Sequence, residues 1–153
     1  MIALLSLLCV LTASAKEAPL EAGFRGRTYG DAKVIAKKPF EVCVPVTAPT
    51  VAWSCVDTLA GYPAAIHYMV EAGLFVGVYI RIDGDFATNL AVVAYLMESW
   101  GPGDSGGAKL QRLWVGPGGD VIASVQLGEG FTAVTIASTV QADEAKLRST
   151  VKQ

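Results

Sequence analysis

Apolar residues along this chain follow two periods, and most of the length follows the shorter one. Residues 40–46 and 51–57 set valine, phenylalanine, tryptophan and cysteine at strand-like intervals, separated by Thr47-Ala-Pro-Thr50. That pattern predicts a hairpin centred on Pro49. Residues 63–70 and 74–82 predict a second strand pair, turned at Glu71-Ala72-Gly73. Residues 110–115, 121–127 and 131–138 predict a three-stranded meander, with glycine-rich turns at 117–120 and 128–130. One segment breaks the rhythm. Over residues 86–100, Phe86, Leu90, Val93, Met97 and Trp100 recur at helical spacing, with Asp83-Gly84-Asp85 as turn and cap and Gly101-Pro102 as the stop. Ala91, Val92, Ala94 and Leu96 add apolar surface, so this helix is expected to be largely buried. Short connections imply antiparallel pairing. The predicted fold is α+β: about six to seven strands with one buried helix on one face, a two-layer sandwich.

Outside that domain, assigned to residues 24–140, the pattern weakens. Residues 16–23 are expected to be a flexible leader, 31–38 a short helix capped by Asp31 and ended by Pro39, and 141–153 a helical surface tail. Residues 2–11 form an apolar run broken only by Ser6, and Ala13-Ser14-Ala15 follows it. Such a run ending in small residues is read as a signal peptide cleaved between Ala15 and Lys16, which predicts a periplasmic or secreted product. About ten apolar residues are too few to cross the bilayer, and no later stretch is longer, so no integral membrane segment is expected in the mature chain. Cys9 lacks the small neighbour of a lipid-attachment site.

Composition then narrows the partners. The 153 residues are 52% apolar with a formal charge of −2. That balance argues against nucleic acid, which calls for a basic excess. Cys43 and Cys55 alone remain after processing, in opposing strands of the first predicted hairpin. In an oxidising compartment they are expected to be bridged, which stabilises the fold by about 3 kcal/mol in the chain-entropy model. The C-x-x-C spacing of a redox-active pair is absent.

One pentapeptide points to chemistry. Gly103-Asp104-Ser105-Gly106-Gly107 resembles the segment around the nucleophile of chymotrypsin-like serine proteases. The resemblance implies Ser105 as nucleophile, the amides of Gly103 and Ser105 as oxyanion hole, His67 as base, and Asp83 or Asp85 orienting it. The rest of the chain does not match that family. Only 38 residues separate His67 from Ser105, Ala108 stands where the family has proline, and Gly101 where it has cysteine. A glycine-rich loop between helix and strand is the favoured reading, with Ser105, His67 and Asp85 as the catalytic alternative.

No metal or cofactor is expected. There is one histidine, and Asp83-Gly84-Asp85 begins like a calcium loop but continues with Ala87 and Ala94 where acidic ligands belong. Arg25, Arg27, Lys33, Lys37 and Lys38 against Asp31 give residues 25–38 a local charge of +4. Arg25, Arg27, Lys37 and Lys38 are thus candidates for contact with an acidic partner. Trp53 and Trp114 would be partner anchors if they face outward. The expected function is that of a small exported module, non-catalytic, binding a protein or small ligand. The alternatives are a small secreted serine hydrolase and an envelope subunit that assembles by adding strands at its sheet edges.

Overall fold

A computed structural model describes residues 16–33, 37–38, 42–105 and 111–143. Residues 1–15, expected to be a signal peptide, and most of the expected tail lie outside them. Seven strands form one antiparallel sheet: β1 Cys43–Ala48, β2 Val51–Leu59, β3 Tyr62–Glu71, β4 Leu74–Asp83, β5 Arg112–Val115, β6 Val121–Gly128 and β7 Phe131–Ser138. Their spatial order is β1-β2-β3-β4-β7-β6-β5. The helix α1, Phe86–Trp100, links β4 to β5 and packs on one face, giving the expected α+β sandwich.

Local chemistry explains the tight hairpins. Arg25-Gly26, Ala60-Gly61 and Ala72-Gly73 all have positive φ at both positions, as a two-residue hairpin loop needs if its twist is to match that of its strands. Glycine adopts that backbone freely; alanine and arginine do so at a cost of about 1 kcal/mol. The first of these turns closes a small hairpin bridge between Phe24 and Arg27.

Strand alternation fixes the two faces. Ile66, Tyr68, Val78, Ile80, Val134, Ile136, Ala123 and Val125 lie on the covered face and are almost fully buried. Cys43 and Cys55 are register partners on that face and form the disulfide, their Cα atoms 4.1 Å apart.

Two expectations need correction. The buried stripe of α1 is Asn89, Val92, Val93 and Leu96, whereas Phe86 is 60% and Leu90 43% exposed. The rotation brings Asn89 under the sheet, where its Oδ1 accepts a short hydrogen bond from Thr132 Oγ1 on β7. Residues 16–23, expected as a flexible leader, are instead a packed strap. Leu20, in the short 3-10 turn Leu20–Ala22, and Phe24 are both core residues. The Glu17 amide donates to Ser99 Oγ (3.2 Å), Tyr95 donates to Glu17 Oε1 (3.1 Å), and Trp100 Nε1 donates to Ala18 O (3.0 Å). Further on, Phe24 packs edge-on against Tyr68, and Tyr29 stacks on Phe75. The strap thus runs from the end of α1 across to β2–β4.

Replacing Ala60 or Ala72 by asparagine, which tolerates positive φ, is expected to raise stability by about 0.5–1 kcal/mol in urea unfolding. A loss would show that these turns are held in some other backbone conformation. The Cys43→Ser/Cys55→Ser protein is expected to lose about 3 kcal/mol.

Candidate functional site

The strand order separates the residues of the protease-like set. His67 is on β3, half-buried, with its ring stacked on that of its register partner Tyr79 at 5.9 Å. Asp104 forms an isolated bridge to Leu113 on the outer side of β5, and Ser105 follows it. Five strand spacings separate that position from β3, roughly 24 Å. Asp83 lies four residues along β4 from Tyr79, roughly 13 Å, and Asp85 lies beyond it. Ser105, His67 and Asp85 are therefore not brought together.

Asp85 and Asp104 have visible local roles instead. Asp85 is the N-cap of α1: its carboxylate accepts from the Thr88 amide (2.9 Å) and hydroxyl (3.1 Å). Those hydrogen bonds hold its pKa below the ordinary value. Asp104 closes an edge. Its N–H donates to Leu113 O and its carbonyl accepts from the Leu113 N–H, both at 2.8 Å, so the outward groups of Leu113 are already paired.

The basic segment is divided. Arg25 is drawn inward: its guanidinium pairs with Asp57, donates to Thr58 O and sits 3.7 Å from Glu17, and its side chain is only 19% exposed. Sequence reasoning missed this because Asp57, 32 residues away, becomes a neighbour only when the strap crosses β2. Lys37 and Lys38 remain on the exposed surface, Arg27 is half-buried, and residues 34–36 lie outside the description. The tryptophans also face inward. Trp114 is 3% exposed, with Nε1 donating to Gly101 O (2.8 Å), and Trp53 packs against the core. Among the described residues, no three histidine, cysteine or acidic side chains gather as a metal site.

What stands out is the face that neither α1 nor the strap covers. On one half it presents Val44, Val56, Ala65, His67 and Tyr79; on the other, Thr135, Ile122, Ser124, Leu113 and Val115. Val44 and Val56 are 60% and 65% exposed, and Val115 is 56% exposed. The charges interleaved with them are Arg81 and Asp83, which pair at 2.9 Å, and Arg81 also lies over the Phe131 ring at 4.3 Å. Seven strands make this surface roughly 29 Å wide. Its legible signal lies in the alternate sets of β1 and β5, where Val44, Leu113 and Val115 stand where a solvated face would be polar.

Because Asp85 has a lowered pKa in the folded chain, its capping contribution is fully present above its unfolded value, 3.8, and is lost as pH falls through the folded one. Asp85→Ser, a neutral cap, is expected to flatten that part of the acid-unfolding profile while leaving stability at neutral pH nearly unchanged. An unaltered acid limb would remove the assignment.

No family model, curated protein or solved structure matches this chain, so the uncovered face and its chemistry carry the functional reading.

Proposed function

We propose that the protein is an exported, disulfide-stapled binding module that engages a protein partner through its uncovered sheet face, without catalysis. The observation that carries this reading is the set of exposed apolar side chains on that face, Val44 and Val56 at one end and Leu113 and Val115 at the other, with the paired Arg81 and Asp83 between them. Large apolar side chains exposed together on one sheet face characterise interaction sites. Among the described residues, the hollows on this face, about 260 Å³ beside Val56, Ala65 and Arg81 and about 160 Å³ beside Leu113 and Ser124, are smaller than the ~300–1,000 Å³ pockets that enclose drug-sized ligands, which favours a macromolecule. A strip about 29 Å wide and roughly 26 Å long approaches the ~800 Å² per partner of an ordinary protein–protein interface.

Export is supported by the bridged Cys43–Cys55 pair and by the leader-like residues 1–15, cut between Ala15 and Lys16. Among the described residues, no helix is long and apolar enough to cross a membrane. Assembly by strand addition has less support, because both sheet edges are blunted. β1 carries Pro45, which has no N–H, and its register shifts between Pro45 and Ala48. On the other edge, Asp104 takes the outward groups of Leu113.

A photo-crosslinking residue at Tyr79, on the uncovered face, is expected to give a discrete adduct in intact cells. The same residue at Glu129, in the exposed β6–β7 turn, should give none. Adding Val56→Asp should abolish the Tyr79 adduct without lowering the thermal midpoint. No adduct at Tyr79, or equal adducts at both positions, would overturn the reading.

A further inference from the structure

The strap, the end of α1 and the edge strand β5 meet around a hollow of about 240 Å³ at the β5 edge of the sheet. Its walls include Pro19, Trp100, Trp114, Val115 and Pro117, so they are mainly aromatic and apolar. The two indoles pack edge to face with centroids 5.6 Å apart. Both indole N–H groups are spent inside the protein, on Ala18 O and Gly101 O. The half-buried Trp100 therefore offers the hollow ring surface rather than a donor. One lining residue is charged, Glu21.

Glu21 is set into this site by a gap in the sequence. Its carboxylate lies against Gly116, where a Cβ atom would stand 2.1 Å from Oε1. Any larger residue at 116 would push the carboxylate away. Neighbouring acidic groups are neutralised locally, Glu98 by Lys16 and Glu17 by Arg25, whereas none of the described residues that line the hollow is basic. The field of Glu21 also reaches the buried Tyr29 hydroxyl, whose pKa is raised first by burial and then by that carboxylate.

An aromatic wall with a single uncompensated carboxylate is complementary to an organic cation. The ring face attracts the positive charge, the apolar walls accept its alkyl groups, and the carboxylate supplies the counter-charge. We infer that this hollow is a binding site for a small alkylammonium ion, with Trp100 as the ring wall and Glu21 as the anion. Val115 is the lining residue that the hollow shares with the partner face.

Choline titrated into the intact mature protein is the probe, read by the indole N–H resonance of Trp100. The expected result is a saturable shift at Trp100 and none at Trp53. The neutral carbon analogue 3,3-dimethylbutan-1-ol should bind at least about tenfold more weakly, as loss of the cation requires. Glu21→Gln, which keeps the shape and removes the charge, should weaken choline by a similar factor. Gly116→Ala should do the same by displacing the carboxylate, which covers the case in which one variant disturbs the strap. Sodium chloride at equal ionic strength should leave Trp100 unmoved. The inference falls if choline produces no saturable shift, if the neutral analogue binds as well as choline, or if Glu21→Gln binds as the parent does.

Discussion

One helix cannot cover a seven-stranded sheet. A helix is about 10 Å across, whereas the sheet is roughly 29 Å wide, so most of either face would stay wet if α1 were the only cover. Among the described residues this constraint is met on one face only, by residues 16–30 laid beside the helix. Leu20 and Phe24 provide the apolar contact, and Arg25 fastens it by joining Glu17 on the strap to Asp57 on β2. The fastening uses a strained turn, since Arg25 has φ +47°. Glycine would relax that backbone but would leave Glu17 and Asp57 without their common cation. With the strap spent on the covered face, nothing described is left for the other, and the uncovered face follows directly from the shortage of covering elements.

The same economy accounts for the glycine-rich loop after α1. Its resemblance to a protease segment is confined to a few consecutive residues, and its work here is to end a helix and seal an edge. Gly101, at φ +86°, closes the helix and accepts from Trp114, and Asp104 pairs with Leu113 two residues before the protected strand ends. At the opposite edge, Pro45 and the shift in register serve a similar end, with the disulfide holding β1 to β2. A sheet with guarded edges and one bare face presents its side chains to partners and withholds its backbone.

Much of this fold was legible before the structure. The strand segments, the Asp85 cap and the opposition of Cys43 to Cys55 are set by short-range patterning, which survives in any context. What was not legible depends on tertiary partners. The helical spacing of Phe86, Leu90, Val93, Met97 and Trp100 suggests the buried stripe, but the sheet covers Asn89, Val92, Val93 and Leu96, and there Asn89 meets its distant partner Thr132. Leu20 is a lone apolar residue in a polar stretch, a weak signal until α1 and β6 supply its pocket. Arg25 looked like part of a surface charge because its acidic partners are distant in sequence. Which way Trp53 and Trp114 point follows from strand pairing, and each faces the covered side with its strand's buried set.

The central claim is the asymmetry of the two faces: one sealed by helix and strap through Arg25, the other open. A soluble gadolinium chelate, which broadens the methyl resonances it can approach, tests it directly. The methyls of Val44, Val56, Leu113 and Val115 should broaden strongly, while those of Leu20, Ile66 and Val134 stay sharp. In Arg25→Ala, Leu20 should join the broadened set. Equal protection on the two faces, or a Leu20 indifferent to the loss of Arg25, would contradict the account.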